Sequence, residues 1–66
     1  MKQLGNLAIV CARRHDVVLI IQRGTVTVHV NTGESLETMT AEWQDDAANQ
    51  EIVSQLNFGK YAERKD

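Results

Sequence analysis

The chain has no proline, a single cysteine and only three aromatic residues among its 66 positions. With no proline, no internal repeat and no low-complexity tract, nothing in it reads as a linker, so one domain over 1–66 is expected. The lone Cys11 excludes an intramolecular disulfide and any metal site built from several thiolates. Trp43, Phe58 and Tyr61 are few for a base-stacking platform, and a pI near 5.6 lacks the basic excess of nucleic-acid binders. The glycines, Gly5, Gly24, Gly33 and Gly59, stand apart from one another, so there is no glycine-rich phosphate loop. Long apolar runs are missing too. Leu7 to Ala12 is six residues and ends in Arg13-Arg14, short of a signal peptide's apolar region and of the roughly 20 residues of a membrane span. The expected compartment is the cytoplasm.

A domain of this size buries only about 60% of the surface its unfolded chain exposes, so its stability margin is thin. With disulfides and thiolate metals excluded, two routes remain: a compact core alone, or a core completed by a partner. Charge is unevenly spread. Residues 1–33 carry Lys2, Arg13, Arg14 and Arg23 against Asp16, a net of +3. Residues 34–51 carry Glu34, Glu37, Glu42, Asp45, Asp46 and Glu51 with no base, a net of −6, and the remainder adds +1. Solvated faces explain this pattern, and complementary ends suited to a charged partner are the sharper alternative.

What is present is most distinct between Val17 and Val30. Thr25 to Val30 alternates polar and apolar, which a pleated strand turns into two different faces. Val17-Val18-Leu19-Ile20-Ile21 does not alternate, and is apolar on both sides. Arg23-Gly24 between them reads as a tight turn. Leu7 to Ala12 reads as a strand preceding this pair, with Leu7, Ile9 and Cys11 on one face. After the turn residues Asn31-Thr32-Gly33, the segment 35–41 reads as a fourth, edge-like strand. Asp45 is placed to cap a helix whose stripe is Ala48, Ile52, Val53 and Leu56, with Gly59 suited to a left-handed stop. Trp43 and Phe58 would bracket that helix against the sheet. The expected fold is α+β: an antiparallel β-meander of three to four strands with one C-terminal helix packed on one face. The strands fall at about 7–12, 17–22, 25–30 and 35–41, the helix at about 45–57, and a fraying polar tail at 60–66.

Candidate chemistry is sparse. Cys11 sits among aliphatics, where burial makes a thiol inert, so pairing with His15 or His29 as a thiolate–imidazole couple is disfavoured. His29 shares a face with Thr25 and Thr27, and His15 lies at a loop tip. Glu42, Asp45 and Asp46 lack the spacing and glycine of a calcium loop, and capping already explains the aspartates. Nothing pairs a nucleophile with a base, and a sheet with one helix rarely supplies a cleft for acid–base work. No catalytic residue, metal, cofactor or small-molecule substrate is indicated. The expectation is a non-enzymatic protein.

Three segments, Leu4 to Arg14, Trp43 to Asp46 and Leu56 to Ala62, together resemble short proteins encoded among the genes of conjugative transposons in gut bacteria. The resemblance runs over nearly the whole chain and implies a bacterial, mobile-element accessory protein. It carries no motif of known chemistry and therefore assigns no site residues.

One helix can cover one face of the expected sheet, which leaves aliphatic side chains on the other. The function expected is a small interaction module that self-associates or docks a protein partner. Val18, Ile20 and the strand-one neighbour Val10 would form the contact, or Val17, Leu19 and Ile21 in the other register. The alternative is a nucleic-acid-binding regulator using Arg13, Arg14, Arg23 and Lys60, although Arg13-Arg14 and Arg23 fall at opposite ends of strand two.

Overall fold

The computed structural model describes residues 2–62. In order these form α1 (Lys2–Ala12), β1 (Val17–Gln22), β2 (Thr25–Asn31), β3 (Leu36–Glu42) and α2 (Asp46–Asn57). The strands make one antiparallel sheet in the order β1-β2-β3, so the α+β class and the meander stand.

The sheet is organised by its central strand. Val26, Val28 and Val30 point to one side and are all buried, while Thr25, Thr27 and His29 point to the other. At the β1–β2 turn Arg23 (φ 53°) and Gly24 (φ 79°) both lie in the left-handed region, as a two-residue hairpin turn of the twisted kind requires. That turn sets the register: Val17 opposite Val30, Leu19 opposite Val28 and Ile21 opposite Val26. Across the other ladder, Val28 faces Met39 and Val26 faces Ala41. Directly opposed residues share a face, so Val17, Leu19 and Ile21 lie on the valine side, and Val18, Ile20 and Gln22 on the threonine side.

Both helices cover the valine side. Leu7 and Cys11 of α1 meet Ile52, Val53 and Leu56 of α2 over Val17, Val26, Val28 and Val30. The helices pack on each other, with α1 also touching β1 and α2 touching β3. Three strands present roughly 14 Å of sheet, while one helix spans about 10 Å, so two helices are needed to cover it.

The first expected strand is therefore a helix. Leu4, Leu7, Val10 and Cys11 fall on one stripe of α1 and pack into or against the core, and Ile9 turns away at 53% exposure. The β-branched Ile9-Val10 pair and Gly5 weaken the local helical signal, and packing against α2 overrides it. Val10 consequently lies on a helix and not beside Val18 and Ile20 in the sheet. The segment read as 35–41 is strand β3, one residue further on.

The α2 N-terminus forms as expected, with the Asp45 carboxylate accepting from the Ala48 N–H at 3.0 Å. Asn49, fully buried, donates its side-chain amide to the carbonyls of Glu42, Trp43 and Asp45, fastening the β3–α2 turn. At the other end, Phe58 does not bracket the helix: it is the C-cap residue and is 86% exposed. Gly59 is not left-handed either. Its lack of a side chain makes room for Gln55, whose Oε1 would sit 2.6 Å from an added Cβ. The expected fraying tail is ordered as a turn through Ala62, with Tyr61 and Ala62 half-buried; its remainder, 63–66, lies outside the described residues.

A strand at 7–12 would put Leu7 and Ile9 on one face and make their truncations alike. The helix separates them. Leu7→Ala is expected to lower stability by roughly 2–4 kcal/mol and Ile9→Ala by less than about 1 kcal/mol, measured by urea unfolding.

Candidate functional site

The open side of the sheet carries Val18, Ile20 and Gln22 from β1, then Thr25, Thr27, His29 and Asn31 from β2, then Leu36, Thr38, Thr40 and Glu42 from β3. Its centre is hydroxylic, with Thr27 directly opposite Thr40 and the His29 Nδ1 3.0 Å from the Thr38 hydroxyl. Apolar surface is densest along β1, where Val18 is 56%, Ile20 42% and Ile21 52% exposed, with Leu36 of β3 a separate exposed aliphatic at 64%. The non-alternating half of the hairpin thus presents side chains on both sides of one edge strand. Val18 and Ile20 face away from the helices, and Ile21 lies on the helix side beyond their cover.

The backbone of that edge is equally open. In a two-residue hairpin the residues flanking the turn exchange hydrogen bonds, so Gln22 pairs with Thr25, and Ile20 and Val18 follow on the same side. The Asn31 N–H donating to the Asp16 carbonyl at 2.8 Å continues this parity at the other end. The N–H and carbonyl groups of Val17, Leu19 and Ile21 therefore point outward. None of them has a backbone partner outside the helices and strands among the described residues. β1 also has none of the usual protections of an edge: no charge, no proline and an uninterrupted register without a bulge. β3, the other edge, carries Glu37 and Glu42 and runs beside the C-terminal turn, where the Tyr61 hydroxyl donates to Glu37 Oε1 at 3.2 Å.

A second feature sits where β1 begins. Arg14 donates from Nε to Asp16 Oδ1 at 2.9 Å and from Nη2 to Asp16 Oδ2 at 2.7 Å. The same guanidinium donates to the carbonyls of Leu56 at 2.9 Å and Tyr61 at 2.9 Å. Its side chain is 7% exposed. Arg14 lines a shallow cleft of about 590 Å³ with Asp16, Asn31, Glu37, Lys60 and Tyr61. These groups are engaged with one another: Ser35 Oγ donates to Glu37 Oε2 at 2.6 Å, and the Lys60 ammonium lies 5.4 Å from the Tyr61 ring centre. The Arg14 hydrogen bonds hold the Asp16 carboxyl below its ordinary range, despite a smaller opposing effect of burial. Hydrogen bonds from Ser35 and then Tyr61 lower Glu37 in the same way. The arrangement is a structural clamp with a polar mouth.

The structure disperses the basic residues read as a phosphate patch. Arg14 is enclosed, Lys60 lies across the cleft from it, Arg13 is exposed at the end of α1, and Arg23 sits at the far end of β1. Sequence reasoning missed the clamp. The available signal was an arginine two residues before an aspartate, between a helix and a strand, a spacing at which one fork can hold one carboxylate. Cys11 is buried against the core, and burial pushes its thiol up against the weaker opposing pull of Arg14. Among the described residues no three His, Cys, Asp or Glu side chains are grouped to hold a metal ion. Among the same residues no helix is long and apolar enough to cross a membrane.

No family model matches the chain, and no curated protein and no solved structure matches it.

The clamp gives a pH dependence of defined sign. Because folding lowers the Asp16 pKa, the pair's stabilisation is complete above the unfolded value of about 3.9 and is lost as the pH falls through the lower folded value. Thermal melts between about pH 2 and about pH 6 should show a shallower acid slope for Asp16→Asn than for the parent. Glu37, lowered for separate reasons, keeps part of that slope in the variant. Arg14→Lys retains the charge but not the fork, and is expected to lower stability at neutral pH by roughly 1–3 kcal/mol.

Proposed function

We propose that the protein is a small non-enzymatic interaction module that docks another protein chain along β1, by strand addition flanked by Val18 and Ile20. One observation carries this reading: an edge strand of six uncharged residues, with outward backbone groups and exposed apolar side chains on both sides. Such an edge is a template for pairing, since its outward N–H and carbonyl groups have no protein partner and are spaced to bond a further strand. Proteins that do not use an edge usually blunt it. The threonine-rich remainder of the open face is compatible with solvent, which narrows the docking surface from the whole face to its β1 side.

The cytoplasm is the compartment proposed, and a bacterial mobile element the genetic setting, the latter on the resemblance in Leu4 to Arg14, Trp43 to Asp46 and Leu56 to Ala62. The nucleic-acid reading gains no support from the geometry, because its four basic residues do not converge. It is not carried further.

The test is position-specific photo-crosslinking in cells expressing the protein. A photoreactive side chain at Val18 or at Ile20 should give discrete protein adducts, whereas one at Ala47, exposed on α2, should give none. No adducts at the β1 positions, or the same adducts at Ala47, would sink the proposal.

A further inference from the structure

We infer that the chain seated on β1 is a second copy of the same protein, paired antiparallel about a two-fold axis at Leu19. This rests on the reading of β1 as a docking edge and adds the identity and register of its occupant.

The register follows from parity. The outward backbone groups belong to Val17, Leu19 and Ile21, so an antiparallel self-pair must oppose odd-numbered residues to odd-numbered residues. Centring on Leu19 opposes Val17 to the partner's Ile21, Leu19 to the partner's Leu19 and Val18 to the partner's Ile20. This register pairs five of the six strand residues, leaving only Gln22 outside, and each opposed couple within Val17–Ile21 is apolar. Centring on Ile20 also pairs five residues but sets Val18 opposite the partner's Gln22, and centring on Val18 pairs only three.

Charge argues for the same occupant and orientation. Within β1 there is no charge to repel its own copy. The flanking residues carry opposite signs, Asp16 before the strand and Arg23 after it, and Asp16 keeps 41% of its side chain exposed beside Arg14. In the antiparallel register each Arg23 falls beside the partner's Asp16, whose carboxylate is paired with Arg14 but partly exposed, whereas a parallel pair would set Arg23 against Arg23. The two three-stranded sheets would join as one six-stranded sheet with β3 at both outer edges, the strand that carries Glu37 and Glu42. Pairing consumes the β1 edge of each chain, so the assembly closes at two.

One strand edge with its flanking side chains covers less than the roughly 800 Å² per partner of a standard interface, so association is expected near 100 µM and not at nanomolar concentration. Sedimentation from about 1 µM to about 500 µM should show the mass rising from 7.4 kDa toward twice that value. Ile20→Lys and Val18→Lys, both on the side away from the helices, should stay at 7.4 kDa with an unchanged circular dichroism spectrum. Register is read by disulfide trapping, with the buried Cys11 left in place. Val18 and the partner's Ile20 would be about 4.5 Å apart at Cα, within disulfide reach, while identical positions are diagonal at roughly 7–8 Å. A mixture of Val18→Cys and Ile20→Cys should therefore cross-link at least tenfold faster than either alone. A monomer at every concentration, growth beyond two copies, or equal cross-linking of mixed and single variants would overturn the inference. Adducts at Val18 or Ile20 with a different protein, alongside a monomer in sedimentation, would overturn self-pairing and leave the docking edge standing. The absence of any adduct would remove both.

Discussion

The Arg14 guanidinium, held by Asp16 and by the carbonyls of Leu56 and Tyr61, joins the entry of β1 to the exit of α2 across 42 to 47 residues of chain. It acts on three elements at once. It follows directly on the last turn of α1, it fixes the Asp16 carboxylate at the foot of β1, and it satisfies a carbonyl that the end of α2 would otherwise leave without a partner. A positive group at a helix C-terminus also complements the helix dipole. The clamp is mostly enclosed, and its bonds are charge-assisted, so losing one partner leaves a desolvated group behind.

Both helices are thereby kept on the valine side of the sheet. Leu7 and Cys11 reach the core from α1, and Ile52, Val53 and Leu56 reach it from α2, so the side that Val26, Val28 and Val30 define is filled from within the chain. No described helix is left for the other side. There the chain relies on composition: threonines and a histidine tolerate water over most of β2 and β3, and the aliphatic exceptions are Leu36 at the start of β3 and the neighbouring pair Val18 and Ile20 of β1. A chain of 66 residues has a thin stability margin, and an uncharged apolar edge is an exposure that such a chain could have avoided by placing one lysine in it. The physical reading of β1 as a contact surface comes from that contrast between its open face neighbours and itself.

Much of this was legible in the residues. The strict alternation from Thr25 to Val30 and the apolar run from Val17 give β1 and β2 to within a residue of their ends, because pleat periodicity is a local property. Asp45 as the cap of α2 was equally readable, from its place before the helical stripe. The first helix was not. Ile9 and Val10 favour a strand locally, and the spacing of Leu4, Leu7 and Cys11 acquires meaning only once α2 and the sheet supply something to bury it against. Phe58 misled for a related reason: hydrophobicity alone does not say on which side of a helix end a side chain leaves. Which residues of β1 face outward was also undetermined until the left-handed pair Arg23-Gly24 fixed the register. Arg14 was read as an available cation, because nothing local shows that two carbonyls more than forty residues away will enclose it.

The central claim is that the outward backbone of β1 is where this chain meets its copy, and amide hydrogen exchange observed residue by residue measures that backbone directly. At low concentration the N–H groups of Val17, Leu19 and Ile21 should exchange quickly, while those of Val18, Ile20 and Gln22, bonded to β2, are protected. As concentration rises into the dimer range, Val17, Leu19 and Ile21 should gain protection together, and the amides of β3 should not change. Exchange at those three residues that is independent of concentration, or protection that appears along β3 instead, would contradict the account.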